Sequence, residues 1–415
     1  MKFNYGKIFL LGLGFFGVSV IWGVYNAFVP IFLAEKFGLA PVMIGFFMTL
    51  DNIAALFIQP PVGAWSDRLR TPIGRRLPFV LVGAPIGAVV FGLIPLAAAL
   101  PLFVACTSTL ILSMALWRTP VVALMPDITP SRYRSQANGI INFMGGVGAI
   151  FSFLGGSALY RLNPAFPFWM GSALVVLAGV LVLAFIREPK EYATDEKQPG
   201  MIESLKEVLQ DRERSAIRIF LAIFFWFLGF TAIEAFFTLY AKNHLGLNEA
   251  DGARLLGHLS LVFVLAALVA GYIGGKAGRR VTILSGIAVI GVIVLTIFFL
   301  PPAVLTTVVT KLPVLGTVPV ISLLLMAAGA GWALININSL PMVVELTSAA
   351  RFGTYTGLYY LFSTLSAIVG PNVNGWAVQL SGGNYNVIML LAPFFMLIAF
   401  TLMFGVKRGE ATKNV

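Results

Sequence analysis

Runs of about 20 apolar residues recur along the whole chain and constrain its fold more than any other feature. A run of this length is typical of one α-helical crossing of a bilayer. Of the 415 residues, 59% are hydrophobic and 11% are charged, whereas soluble domains carry roughly 25% charged residues. We therefore predict an all-α polytopic membrane protein with twelve transmembrane helices, near residues 8–33, 41–66, 77–100, 101–125, 137–160, 165–186, 216–240, 252–275, 281–300, 318–343, 353–378 and 384–406.

The basic residues lie mainly in alternate connections between these spans. Of the 28 lysines and arginines, 22 fall on one side. Positive charge marks the cytoplasmic side, so we expect a multi-pass protein of the cell (inner) membrane with both termini in the cytoplasm. Contact with anionic membrane lipid accounts for the net charge of +11, and no nucleic-acid partner is expected. One cysteine and two histidines give no basis for a disulfide framework or a metal site.

A long charged segment, residues 188–213, separates six predicted spans from the other six. We interpret it as a cytoplasmic linker. The predicted domains are then an N-terminal six-helix bundle, 1–187, and a C-terminal six-helix bundle, 214–415.

The two halves resemble each other in sequence. At an offset of 218 residues, segment 126–150 aligns with 344–368, and Asp127 is matched with Glu345. A second match pairs two segments that end in Gly-Arg-Arg, 63–76 and 271–280. Repeated six-helix halves are typical of transporters in which one half rocks against the other around a central site.

Short motifs in the first half carry a more specific likeness. Gly63-x-x-x-Asp67-Arg68 followed by Gly-Arg-Arg resembles the loop motif between helices 2 and 3 of the major facilitator superfamily. The segments SDRLRTPIGRRLPF, TPVVALMPDIT and RSQANGIINFMGGVGA resemble the plant-type sucrose transporters, their bacterial relatives and the glycoside–pentoside–hexuronide:cation symporters. The resemblance covers most of the first half, and the second half by topology alone. It implies the major facilitator fold and a secondary sugar transporter that works by alternating access.

Two departures bear on the coupling ion. The plant sucrose transporters place an arginine where this chain has Val122. The melibiose-type permeases carry sodium-binding acids near positions that read Ala55 and Gln59 here. Neither proton nor sodium coupling therefore carries over from the resemblance. We expect no cofactor, with a proton, or alternatively sodium, as the coupling ion.

A group of charges is predicted at the cytoplasmic ends of the helices. An acid that faces several arginines across two helix ends can form a charge-assisted latch. We interpret eight residues as a cytoplasmic gate that favours one access state: Asp67, Arg68, Arg75, Arg76, Asp127, Arg134, Glu345 and Arg351. The alternative is topogenic charge combined with ordinary helix capping.

Three charged residues inside predicted spans are candidates for ion coupling: Asp51, Arg118 and Glu234. A charge in hydrocarbon usually faces a cavity or a partner. Asp51 and Arg118 lie in the same half, and a pair between them is feasible, directly or through substrate or water. The alternatives are a structural polar contact for Asp51, snorkelling of Arg118 toward the cytoplasm, and a water-exposed position for Glu234.

Polar and aromatic side chains form stripes at helical spacing, among them Asp51, Ala55 and Gln59 on one face of helix 2. Sugar hydroxyl groups need donors and acceptors, and sugar C–H faces pack on aromatic rings. The substrate-binding candidates are Trp22, Tyr25, Asn26, Gln59, Trp117, Asn142, Trp226, Phe230, Trp332, Asn336, Tyr359 and Asn374. The alternative for each aromatic residue is lipid contact or packing.

The sequence has no catalytic constellation and no GxxxxGK[ST] phosphate-binding motif, so neither an enzyme nor a fused ATPase is expected. Three functions compete: proton-coupled import of a disaccharide or glycoside, proton-coupled export of a drug or metabolite by the same fold, and membrane sensing without transport. We favour import by a monomer, with a sugar as the small-molecule partner. Span 5 lacks the proline typical of proton-coupled exporters, several intramembrane faces are polar, and a sensor would usually have an appended soluble domain.

Overall fold

In a computed structural model of the protein, the described residues are 5–129, 134–188, 214–347 and 351–410. Within these ranges the chain forms sixteen α-helices and one β-hairpin. The helices are α1 Tyr5–Ile31, α2 Pro41–Phe47, α3 Leu50–Phe57, α4 Gln59–Arg68, α5 Leu77–Leu93, α6 Leu100–Ile128, α7 Arg134–Ile150, α8 Gly156–Leu162, α9 Phe166–Phe185, α10 Ser215–Asn243, α11 Glu249–Ala277, α12 Arg279–Phe299, α13 Pro302–Leu305, α14 Val320–Val344, α15 Phe352–Leu380 and α16 Ile388–Phe404. Short π-helical turns, Phe32–Lys36 and Phe151–Gly155, extend α1 and join α7 to α8.

The predicted all-α membrane fold is confirmed. Among the described residues, eleven helical stretches are long and apolar enough to cross a membrane. They correspond to eleven of the predicted spans. The remaining one, 353–378, is α15, a 29-residue helix that carries many polar residues and is not among the eleven stretches. The only strands in the described part of the chain, β1 Val308–Leu312 and β2 Gly316–Pro319, form an antiparallel hairpin that connects α13 to α14.

The second span differs from the single helix that its apolar run predicts. It is divided into α2, α3 and α4, with turns at 48–49 and at Ile58. Pro60 and Pro61 follow Gln59 at the start of α4 and lack the N–H groups that would continue the hydrogen bonds of α3. Asp51 and Gln59 therefore lie on successive helical segments of one span, and the shared face predicted for them stays a prediction.

Contacts divide the described chain into two units. The first contains the described residues within 1–39, 50–194 and 249–257, and the second those within 40–49, 195–248 and 258–415. Each unit is built mainly from one half of the sequence, except that α2 belongs to the second unit and the start of α11 to the first. Apart from Glu188, the predicted linker lies outside the described residues, so these domain boundaries stay a prediction.

Small residues permit close helix packing in both units, as is common among membrane helices. In the first unit a Cβ at Gly83 of α5 would lie 2.7 Å from the Cβ of Trp117 on α6. In the second unit a Cβ at Gly286 of α12 would lie 2.6 Å from the carbonyl oxygen of Gly331 on α14. In each unit a glycine without a side chain thus lets two neighbouring helices pack at a short separation.

Candidate functional site

Two arginines at the start of α5 converge on one acid at the end of α6. Arg75 Nη2 lies 2.7 Å from Asp127 Oδ1, and Arg76 Nε lies 3.1 Å from Asp127 Oδ2. Arg76 also donates hydrogen bonds to the Asp67 carboxylate and the Ser66 hydroxyl group of α4. The Asp127 side chain is only 12% exposed, so these charge-assisted bonds are well shielded from water. The network ties together the ends of α4, α5 and α6.

Glu188, just after α9, caps the start of α5. Its carboxylate accepts hydrogen bonds from the backbone N–H groups of Arg75, Arg76 and Leu77 at 2.9, 2.8 and 2.7 Å. The first N–H groups of a helix lack partners within the helix and carry a partial positive charge, so a carboxylate satisfies both needs. Gly74 precedes them with φ of +121°, and a Cβ there would clash with the Glu188 carboxyl group. Sequence analysis missed this cap.

The second unit repeats this arrangement. Arg279 Nη1, at the start of α12, lies 3.3 Å from Glu345 Oε1, just after α14. Glu410, after α16, accepts hydrogen bonds from the backbone N–H groups of Arg279 and Arg280 at 2.7 and 2.9 Å. Gly278 precedes them with φ of +96°. The positions aligned by the internal repeat, Asp127 and Glu345, thus contact equivalent arginines.

The eight predicted gate residues are therefore only partly brought together. The first unit joins Asp67, Arg75, Arg76 and Asp127, whereas Glu345 pairs with Arg279 in the second unit. Arg68 and Arg351 are exposed, and the side chain of Arg134 lies outside the described residues. The gating role of these residues stays a prediction.

A second polar group in the first unit centres on Asp51, in the first turn of α3. α3 packs against α6, which carries Arg118, so that the Asp51 and Arg118 charges lie within electrostatic range of each other, and the Tyr25 hydroxyl group of α1 lies within range of the same carboxylate. Asn52 Nδ2 donates a hydrogen bond to Asp51 Oδ1 at 2.8 Å. Tyr25 is buried, its hydroxyl group has no hydrogen-bond partner among the described residues, and its ring lies 5.6 Å from that of Trp22. Four predicted candidates on three helices thus lie in the same part of the first unit.

An aromatic group lies in the second unit. Phe230 of α10 and Trp332 of α14 stack with ring centroids 3.9 Å apart and planes 2° apart. Phe227 contacts the Trp332 ring edge-on at 5.2 Å. The Tyr359 hydroxyl group of α15 shares a hydrogen bond of 3.1 Å with Ser339 Oγ of α14. Sequence analysis missed Phe227 and Ser339, although Phe227 is one helical turn from Phe230.

Other substrate-binding candidates occupy different environments. Trp117 is 2% exposed and packs against Gly83 and Gly87 of α5, a position that favours packing over substrate contact. Trp226 is fully buried as well. Both amide atoms of the buried Asn374 lack hydrogen-bond partners within the described residues. Asn142 is exposed, and three substrate-binding candidates are partly exposed: Asn26, Gln59 and Asn336. The ion-coupling candidate Glu234 is partly exposed as well. No group of metal-binding side chains occurs in the described part of the chain.

Comparisons with known proteins agree with this architecture. The sequence model of the Major Facilitator Superfamily matches residues 11–371. Multidrug resistance protein 1 of Bacillus subtilis (strain 168) is 22% identical over 259 residues, which are 62% of this chain and 63% of that protein. Sucrose transport protein SUC3 of Arabidopsis thaliana is 23% identical over 192 residues, 41% of this chain and 32% of that protein. The chain thus spans less than two thirds of the length of these curated relatives.

Two solved structures share the fold along nearly the whole chain. The crystal structure of a bacterial homolog of the human lysosomal transporter Spinster, in an inward-facing and occupied conformation, has a TM-score of 0.74 and 16% identity over 97% of each chain. A mutant of the nucleoside transporter NupG has a TM-score of 0.74 and 17% identity, over 97% of this chain and 100% of the other. At such identities the likeness concerns the fold alone.

Proposed function

Because the chain belongs to the Major Facilitator Superfamily, we propose that it is a secondary active transporter that imports a disaccharide or glycoside together with protons. Membership makes it a multi-pass membrane transporter of small molecules and not an enzyme. The substrate class, the coupling ion and the direction of transport are our proposal. In the expected orientation, uptake moves the sugar toward the side on which both termini lie.

The observation that carries the proposal is the packing of α3, which carries Asp51, against α6, which carries Arg118. A charge near the centre of a bilayer costs about 2.5–3.5 kcal/mol on insertion scales, so an acid and a base inside spans stabilise each other. A proton that binds the Asp51 carboxylate removes this attraction and releases Arg118. The nearby Tyr25 hydroxyl group can then hydrogen-bond either the carboxyl group or a solute. Proton binding and solute binding thereby share one group of side chains.

The aromatic group supports a sugar as the solute. Phe230 is partly exposed and stacks on the buried Trp332, so it offers one flat apolar surface. The buried Tyr359 and Ser339 hydroxyl groups, which bond each other, are a donor and an acceptor in the same unit. A sugar presents both kinds of surface. The sucrose transporters among the relatives agree with this choice, and we carry it over only as part of the proposal.

Export of a drug or metabolite is the second candidate. The multidrug resistance relative favours it, because it matches more of this chain than the sucrose transporters do. Stacked aromatic rings also attract organic cations through their faces. Glu234 of α10 would then serve as the acid of the site.

Reconstituted protein distinguishes these functions. Proteoliposomes are given a panel of labelled sugars, first with an imposed pH gradient and then with a sodium gradient. We expect one or more glycosides to accumulate with the pH gradient alone. Accumulation with the sodium gradient alone would reassign the coupling ion. Failure of every sugar, together with export of hydrophobic cations from cells, would replace import with the second candidate.

Substitution of Asp51 tests the coupling step. Asp51→Asn should abolish gradient-driven accumulation and spare exchange of labelled for unlabelled solute, because the amide cannot carry the proton. Glu35→Gln, at an exposed acid after α1, is the matched control and should leave accumulation unchanged. Normal accumulation by Asp51→Asn would disprove the coupling role.

A further inference from the structure

A pocket with a volume of about 550 Å³ lies where the start of α5 meets the end of α9 in the first unit. Its lining includes Arg70, Arg75 and Arg187 together with one acid, Glu188. Arg70 and Arg187 are exposed, whereas Arg75 is buried. Apolar side chains, among them Leu183, complete the wall on the α9 side.

The charged side chains of this pocket have different hydrogen-bond partners. The Glu188 carboxylate is directed at the three backbone N–H groups that begin α5. The Arg75 side chain is bonded to Asp127. Arg70 Nη1 donates hydrogen bonds to the backbone carbonyl oxygens of Asp67 and Leu69 at 2.6 and 2.9 Å, which hold its guanidinium group in position. Arg70 and Arg187 are the two exposed arginines of the lining.

An apolar face leads away from this pocket along the same two helices. Leu81 and Val82 of α5 are each 52% exposed, and Leu177 and Val180 of α9 are 53% and 56% exposed. Farther along, α5 and α9 border a groove of about 700 Å³ lined almost wholly by apolar side chains. The groove begins at Ala88, roughly 16 Å along α5 from the pocket at 1.5 Å per residue.

We propose that this pocket binds the phosphate headgroup of an anionic phospholipid whose acyl chains lie along the α5–α9 face. A guanidinium group matches a phosphate group geometrically and can donate two hydrogen bonds to it. Basic pockets between membrane helices bind anionic headgroups where they face the arginine-rich side of the membrane. The adjoining exposed side chains require hydrocarbon cover, which the chains of the same lipid supply. An anionic lipid suits two nearby arginines better than a zwitterionic one, whose cationic group they would repel.

Lipid exchange measured on the purified full-length protein in nanodiscs tests this assignment. Spin-labelled phosphatidylglycerol is compared with spin-labelled phosphatidylcholine in a phosphatidylcholine bilayer. We expect phosphatidylglycerol to be retained at the protein surface in preference to phosphatidylcholine. Arg70→Gln and Arg187→Gln should each weaken this retention roughly fivefold, and the double variant roughly thirtyfold. Arg351→Gln, at an exposed arginine of the second unit, is the matched control and should retain the lipid fully.

The remaining outcomes are equally decisive. Equal retention of the two lipids, or full retention by the double variant, would overturn the proposal. Binding of inorganic phosphate with the same affinity and the same arginine dependence would assign the pocket to a soluble anion and would also overturn it. If the double variant does not fold, Arg187→Lys keeps the charge but loses the paired hydrogen bonds, and it should retain the lipid at an intermediate level. None of these measurements depends on the transported solute.

Discussion

Replacement of Glu188 by glutamine should destabilise the first unit by removing the charged cap of α5. Glutamine has nearly the same shape but only one acceptor oxygen and no charge. A hydrogen bond to a charged group contributes about 1.5–3 kcal/mol, against about 1 kcal/mol for a neutral one. A negative charge at a helix start contributes a further 0.3–1 kcal/mol or so. The carboxylate is partly buried and accepts three hydrogen bonds of 2.7–2.9 Å. We therefore expect the free energy of unfolding to fall by about 2 kcal/mol.

Thermal unfolding of the purified full-length protein in detergent measures this loss. Domains of about 150–250 residues lose roughly 2–4 °C of melting temperature per kcal/mol, so Glu188→Gln should lower the transition by about 4–8 °C. Glu188→Asp keeps the charge on a shorter side chain and should recover part of the shift. Transport should weaken as well, because the same turn positions Arg75 and Arg76 for Asp127.

The equivalent change in the second unit is the internal control. Glu410 accepts two backbone hydrogen bonds instead of three, and it is exposed. Glu410→Gln should therefore lower the melting temperature less than Glu188→Gln does. Equal shifts for the two variants, or no shift for Glu188→Gln, would refute the assignment of Glu188 as a stabilising cap.

Two further predictions concern close helix packing. Gly83→Ala brings a new Cβ to 2.7 Å from the Trp117 Cβ, and we expect a loss of about 1–3 kcal/mol, measured as a lower melting temperature. Gly375→Ala places its Cβ 2.5 Å from the carbonyl oxygen of Pro41; because a backbone atom cannot rotate away, we expect a larger loss and weaker packing of α2 on α15, seen as faster hydrogen exchange in α2. Gly139→Ala, with nothing within 4 Å of the new methyl group, is the control for both and should be neutral or slightly stabilising. A melting temperature of Gly83→Ala equal to that of Gly139→Ala would contradict the first prediction, and unchanged exchange in α2 the second.

The fold could be predicted from the sequence because a membrane-spanning helix is recognisable by its long run of apolar residues. An apolar run of fixed length is enough to locate a helix, and eleven of the twelve predicted spans are helical stretches of membrane-spanning length and hydropathy. The run at 41–66 shows the limit of this signal. Hydropathy alone does not register the loss of two amide hydrogens at Pro60 and Pro61, so the break at Ile58 was not foreseen, nor was the turn at 48–49.

The internal repeat located contacts better than the residue types did. The alignment of the two halves matched Asp127 with Glu345. In the structure Asp127 pairs with Arg75 at the start of α5, and Glu345 pairs with Arg279 at the start of α12. Residue type alone predicted Trp117 for the substrate site, and it could not show that this side chain packs against Gly83. A tryptophan on a helix can face either a glycine or a cavity. Which of the two it faces depends on the neighbouring helix, which can be distant in sequence.

The carboxylate caps were missed because each joins positions that are more than a hundred residues apart. Glu188 lies 113 residues after Arg75, and Glu410 lies 131 residues after Arg279. Within the chain each glutamate simply follows a transmembrane helix, as many charged residues do. A helix start that binds a carboxylate becomes recognisable only when the last helix of the same half is placed beside it.

The caps also indicate what the two halves have in common beyond sequence. Asp127 and Glu345 are matched at an offset of 218, yet the loop before the first Gly-Arg-Arg is four residues longer than its counterpart, and the two capping glutamates are 222 residues apart. No single offset aligns all three features. The contacts nevertheless recur: a glycine with positive φ, an arginine paired with an acid at the end of the next long helix, and a glutamate bound to backbone N–H groups. Each unit therefore retains the geometry of the turn through changes in loop length, because the first N–H groups of α5 and α12 need the same kind of partner.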